Sequence, residues 1–126
     1  MSSDNSTPQY DAVRALDAAV SALRARHPDL IDLTMGRILR LLHALGDPQR
    51  RLPPVIHVAG TNGKGSVCAY LRAMAEAAGL TAHVMTSPHL VRFAERIRVA
   101  GALIEDDALA RLIAHVEATN AGEPIS

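Results

Sequence analysis

The stretch Val55-Ile56-His57-Val58-Ala59-Gly60-Thr61-Asn62-Gly63-Lys64-Gly65-Ser66 decides how this chain folds. An apolar, strand-like run leads into a glycine-rich turn with one lysine, and then into Val67-Cys68-Ala69-Tyr70-Leu71, which favours helix. That order of elements is the setting for a triphosphate. A phosphate chain needs many donors within about 3 Å, and backbone N–H groups supply them only where the turn is tight. Gly60, Gly63 and Gly65 permit that tightness because they lack Cβ atoms and can take positive φ, and Asn62 tolerates the same geometry. Lys64 is then the point charge for the terminal phosphates. Ser66 falls in the first helical turn, where free N–H groups favour an anion and a hydroxyl can help hold Mg²⁺.

The spacing departs from the commonest phosphate loop, in that only Thr61 and Asn62 separate Gly60 from Gly63, and Gly65 stands between Lys64 and Ser66. The plain alternative is a glycine-rich strand-to-helix turn with an incidental lysine. The strand before it and the helix after it argue for the phosphate reading.

Working upstream, Val13, Leu16, Val20 and Leu23 recur at helical spacing between Tyr10 and Arg26, and Pro28 ends the pattern. Residues 1–8 are polar and expected to be flexible. A second helix is expected from Thr34, as N-cap, to Leu45, with Ile38, Leu39, Leu42 and Leu45 on its inner face and Gly46 just past its end. Downstream, Val67, Leu71, Met74 and Ala78 trace a stripe on the helix that Gly79 closes. Thr81 to Thr86 reads as a second strand of a parallel sheet covered on both faces. A small two-stranded excursion follows, Arg96 to Val99 and Ala102 to Ile104 about a turn at Ala100-Gly101. Glu105, Asp106 and Asp107 open a last helix carrying Leu109, Leu112, Ile113 and Val116. The pattern is the opening of a doubly wound α/β domain.

At 126 residues the chain is one domain at most. Thirteen basic side chains balance 13 acidic ones, so no long-range field draws in nucleic acid or an anionic membrane, and any phosphate binding must be local. The single cysteine, Cys68, excludes an internal disulfide. The polar N-terminus and the lack of a long apolar run point to a cytoplasmic protein that neither crosses nor docks on a membrane.

Val-Ala-Gly-Thr-Asn-Gly-Lys-Gly-Ser, then Thr86-Ser87-Pro88-His89-Leu90-Val91 and Glu95-Arg96-Ile97-Arg98-Val99, with Ile31-Asp32-Leu33 upstream, resembles the folylpolyglutamate synthase and dihydrofolate synthase family of Mur-type ATP-dependent amide ligases. The resemblance runs from about residue 27 to about residue 104. It implies a P-loop, Mur-ligase-like ATP-binding domain with a mainly parallel sheet, of which residues 9–126 would be the incomplete N-terminal portion. It also implies an enzyme that activates dihydropteroate or a reduced folate with ATP as an acyl phosphate and joins it to L-glutamate. On that likeness Gly60, Thr61, Asn62, Gly63, Lys64, Gly65 and Ser66 bind ATP, with Lys64 catalytic. Ser87 is a Mg²⁺ ligand, and Ile31, Asp32 and Leu33, with the loop from Pro88 to Glu95, lie near the pterin. The family is longer than this chain and carries further metal ligands and a second domain. The chain by itself is therefore expected to be inactive and loosely packed, and the full-length protein monomeric. The rival readings are another Mur-type ligase and a nucleotide-binding chain without turnover. Thr34-Met35 stands where the family often has Gly-Leu, and Ala100 where it often has Asn.

Several residues carry a second reading from chemistry alone. Ser87 before Pro88 is also an ordinary turn residue. His57, in an apolar run, reads as a buried structural histidine before it reads as a catalyst. His89 is a loop residue within reach of substrate. Cys68, just after the phosphate turn, reads as a small apolar residue before a reactive thiol. Glu95, Arg96 and Arg98 form either an ion-paired loop or a solvated strand face.

Overall fold

The computed structural model describes residues 8–25 and 35–124. It contains four α-helices, α1 (Pro8–Ala25), α2 (Gly36–Ala44), α3 (Lys64–Ala77) and α4 (Asp106–Asn120), and three short strands, β1 (Val84–Met85), β2 (Ile97–Val99) and β3 (Ala102–Leu103). They fall into two compact units, Met1–Pro54 with Asp106–Ser126, and Val55–Glu105.

The first unit is helical. α1 and α2 each pack on α4, and the spacing on α1 is the expected one, with Leu16 and Val20 buried and Val13 and Leu23 half-buried along one stripe. Leu109 and Ile113, four residues apart, face inward from α4. Each such side chain contributes about 1.5–3 kcal/mol on leaving water. On α2 the inner residue is Leu41, while Ile38 and Leu39 are exposed and Leu42 and Leu45 half-buried. The expected face was thus rotated: a helix with leucine or isoleucine at four of its positions offers more than one apolar stripe, and packing against α4 chooses between them. Leu112 on α4 is likewise exposed. α2 begins at Gly36 behind Met35, without a side-chain cap; the expected cap Thr34 lies outside the described residues. Its end is as expected. Gly46 takes φ +79°, its N–H donates to the carbonyl of His43, and the N–H of Asp47 donates to that of Leu42, the paired bonds of a Schellman stop. Asn120 closes the unit from within, accepting from Arg40 Nη2 at 2.9 Å and donating to the Glu123 carbonyl at 2.6 Å.

The second unit holds α3 and one antiparallel sheet in the order β1-β2-β3. Val84 pairs with Arg98 and Met85 with Ile97, and Arg98 and Val99 pair with Leu103 and Ala102. The predicted hairpin is present, turning at Ala100 (φ +49°) and Gly101 (φ +83°), the left-handed pair of a type I′ turn that matches strand twist. The chain is α/β as expected, but the expected parallel pairing is absent among the described residues. Val55–Ala59 makes no ladder, and Thr81–Thr86 contributes only Val84–Met85, which pairs with the next run along the chain. Antiparallel neighbours need only a local connection, whereas a parallel pair needs a crossover that brings a distant strand alongside. Val55 and Ile56 are accordingly exposed, and so is His57, contrary to its expected burial. α3 has no buried residue; of the stripe expected on it only Leu71 is half-buried, alongside Cys68, Arg72 and Ala75. α3 stops as the sequence indicates, at Gly79 (φ +76°), with the N–H of Leu80 donating to the Ala75 carbonyl.

Candidate functional site

Gly63 caps α3 in the left-handed region, φ +75°, and Lys64 is the first helical residue. The first intrahelical bond runs from the N–H of Val67 to the carbonyl of Gly63, so the N–H groups of Lys64, Gly65 and Ser66 have no intrahelical acceptor. They form the electropositive end of the helix. Gly60 also needs glycine, at φ +143°. Asn62 and Gly65 do not: neither has positive φ, and Gly65 is simply helical. A Cβ on Gly60, Gly63 or Gly65 would meet nothing within 4 Å, so the turn opens onto free space. Ser66 lies in the first turn of α3, as expected.

Lys64 folds back over this turn. Its Nζ donates to the carbonyl of Gly60 at 2.6 Å and to that of Thr61 at 3.1 Å. The ammonium is thereby held within the glycine turn and not extended into solvent. Gly60 through Ser66 thus form one exposed turn with three backbone donors free of intrahelical acceptors and one cation, an arrangement suited to an anion.

Gly65 also borders a cleft of about 220 Å³, shared with Cys68 and Arg72 of α3, Thr86 just beyond β1, and Arg96 and Arg98. Ser87 follows Thr86 and is exposed; the Ser87–Pro88 peptide bond is cis. Cys68 is a half-buried free thiol. Ile31, Asp32 and Leu33 lie outside the described residues.

Glu95 is neither a partner in an ion-paired loop nor part of a solvated strand face. Both carboxylate oxygens accept from backbone: Oε2 from the N–H of Leu90 at 2.8 Å, Oε1 from those of Val91 at 3.2 Å and Arg92 at 2.8 Å. These bonds, that from Arg92 foremost, hold its carboxyl below the usual glutamate range. Beside it, Arg96 Nε donates to His89 Nδ1 at 2.8 Å, and the Arg96 guanidinium lies 4.9 Å from the centre of the Phe93 ring. His89 is therefore a residue that shapes its own loop. Sequence reasoning missed the part played by Glu95. The one available signal was an acid at the third position of a short 3-10 turn, Phe93–Arg96, where it can reach back to the N–H that precedes the turn. Among the described residues no group of three or more His, Cys, Asp or Glu could hold a metal, and no helix is long and apolar enough to cross a membrane.

No family model matches the chain. Individual proteins do. It is 42% identical over 97 residues to the dihydrofolate synthase/folylpolyglutamate synthase of Bacillus subtilis, a match covering 71% of this chain and 22% of that protein. Among solved structures, the bifunctional folylpolyglutamate synthase/dihydrofolate synthase of Yersinia pestis superposes with a TM-score of 0.79 at 36% identity, over 95% of this chain and 29% of that one. A folylpolyglutamate synthase complexed with AMPPCP and folate superposes with a TM-score of 0.72 at 42% identity, over 82% of this chain and 25% of the other. The chain thus spans less than a third of the length of the proteins it matches. Sequence and fold together make it a relative of the folylpolyglutamate synthase and dihydrofolate synthase family.

Proposed function

We propose that this chain supplies the phosphate-binding part of an ATP-dependent amide ligase, residues 9–126 being part of its Mur-type ATP-binding domain. The ligase joins L-glutamate to the carboxylate of dihydropteroate or a reduced folate, by way of an acyl phosphate, in the cytoplasm. The observation that carries this is the Gly60–Ser66 turn, whose backbone donors at the start of α3 surround the Lys64 ammonium. A complex of a related enzyme with AMPPCP and folate supports the nucleotide and the pterin substrate.

In this reading the N–H groups of Lys64 to Ser66 cradle phosphate oxygens, and Lys64 neutralises charge that spreads over them as the phosphoryl group transfers. Ile31, Asp32 and Leu33 contact the pterin. Mg²⁺ would supply further charge neutralisation, and the donor set present fits it. Magnesium keeps several waters and takes few protein oxygens when phosphates are at hand, and the Ser87 hydroxyl would be one such oxygen.

Calorimetric titration with ATP and Mg²⁺ tests the loop. Lys64→Ala removes a charge-assisted contact worth about 1.5–3 kcal/mol and is expected to weaken nucleotide binding roughly 10- to 100-fold. Equal affinity in the variant would remove the phosphate role of the lysine. ADP release that requires both L-glutamate and a folate tests the reaction. ATP affinity without such turnover would select the second reading, nucleotide binding alone.

A further inference from the structure

Two periodicities bring one set of side chains face to face in the unit from Val55 to Glu105. On α3, Gly65, Cys68 and Arg72 stand three and four residues apart and so share a face. In the sheet, side chains alternate. Val84 and Thr86 are half-buried where Met85 and Ser87 are exposed, Val84 pairs with Arg98, and the N–H of Thr86 donates to the carbonyl of Arg96. Arg96 and Arg98 therefore lie on the same side as Val84 and Thr86. The helix face and the sheet face leave between them the cleft of about 220 Å³, because Gly65 and Cys68 are too small to fill it.

Three guanidinium groups and one carboxylate line that cleft. The carboxylate, Glu95, is turned to the N–H groups of Leu90, Val91 and Arg92. Each guanidinium carries five N–H donors, and its bonds within the chain engage one nitrogen: Arg72 Nη1 to the Glu76 carboxylate at 3.4 and 3.5 Å, Arg96 Nε to His89, and Arg98 Nη1 to the Gly101 carbonyl at 3.1 Å. The chain as a whole is neutral, so this is a local concentration of positive charge. We propose that the cleft is a second anion subsite beside the glycine turn, taking a compact oxyanion, a phosphate or a carboxylate, on the forks of Arg72 and Arg98. Its volume encloses such a group and a few waters but not a whole nucleotide or pterin, so it adds to the turn and does not duplicate it. Under the ligase reading above, two groups of that chemistry arise beside the nucleotide: the orthophosphate released from an acyl phosphate, and the carboxylates of L-glutamate. The subsite itself stands on the cleft; only its place in the reaction rests on that reading.

Cys68 lines the cleft and is the only cysteine of the chain, so its alkylation by iodoacetamide, an uncharged reagent, reports whether the cleft is filled. Rates are measured against inorganic phosphate and, separately, L-glutamate up to about 50 mM, with sodium chloride at matched ionic strength as the control for screening. At least one of the two anions is expected to slow alkylation about fivefold where chloride does not, as when most of the protein is occupied. Which anion does so names the source. Arg72→Gln and Arg98→Gln should each raise the half-protecting concentration about 10-fold, the loss of one charge-assisted contact. Arg72→Gln decides alone if Arg98→Gln, which loses its tie to Gly101, does not fold. Because Gly65 borders both the cleft and the turn, Lys64→Ala is expected to shift the concentration too, but by less than either arginine variant, its Nζ being held on the carbonyls of Gly60 and Thr61. The subsite is overturned by no protection from either anion, by equal protection from chloride, by an unchanged half-protecting concentration in Arg72→Gln, or by a larger shift in Lys64→Ala, which would put the anion on the glycine turn. ATP titration of the parent chain judges the nucleotide reading separately. Absent ATP affinity would sink that reading, while protection that follows Arg72 and Arg98 would still uphold the subsite.

Discussion

The two units of this molecule are held together by different means. In the helical unit Leu16, Val20, Leu41, Leu109 and Ile113 are buried, and the buried Asn120 is hydrogen-bonded through both its amide oxygen and its amide nitrogen. In the unit from Val55 to Glu105, Ala94 alone among the described residues is a buried apolar residue. Its order comes from glycine stops, a two-residue turn, a lysine on loop carbonyls and a carboxylate on loop amides. Apolar packing is nondirectional and strong in sum, whereas those polar ties fix individual backbone groups in place. The described part of the candidate site lies in the second kind of structure, which suits a task that depends on where donors point.

The contrast can be broken most forcefully from the packed side. Leu16→Ala removes a side chain only 2% exposed and is expected to cost about 2–5 kcal/mol, read by urea denaturation of the helical signal. A change under 1 kcal/mol would mean that α1 and α4 are not joined by that core. In the second unit the matching probe is Gly63→Ala. At φ +75° a Cβ costs about 1–2 kcal/mol even though it meets no atom, so thermal stability should fall.

Acid sharpens the comparison next. Backbone hydrogen bonds lower the carboxyl of Glu95 in the folded chain, so the stability it contributes is complete above the ordinary glutamate range. It is lost as pH falls through that range to the lowered value. Between neutral pH and mild acid, amide exchange at Leu90 to Arg92 should therefore rise, after correction for its intrinsic pH dependence, while the amides of α1 and α4 stay protected. Uniform loosening of both units would contradict a loop held by one carboxylate. The smallest effect is a gain. Ala100 sits at φ +49°, where asparagine is better tolerated, and Ala100→Asn should stabilise the hairpin by under about 1 kcal/mol in thermal melts.

What could be read beforehand was local. The α1 stripe, the stops at Gly46 and Gly79, the start of α3 at the glycine turn and the hairpin at Ala100-Gly101 all follow from residues within a few positions of one another. What could not be read depends on neighbours remote in sequence. Val55–Ala59 looks like a strand by composition, yet strand pairing requires an edge to pair with. Leu41, and not Ile38 or Leu39, faces inward because α4 lies on that side. α3 is alanine-rich, so its apolar residues do not define one face. At the candidate site, the glycine turn was legible because its chemistry is carried by consecutive residues. The hold of Glu95 on Leu90 to Arg92 was not, because it needs the chain to fold back on itself before the acid has anything to accept.

The lysine already seated on the carbonyls of Gly60 and Thr61 changes what arrival at this turn means. In the proposed phosphate role, an anion would compete with these two carbonyl oxygens for the same ammonium. Binding would then be an exchange of oxygen partners, with the net enthalpy set by the difference between phosphate and carbonyl acceptors.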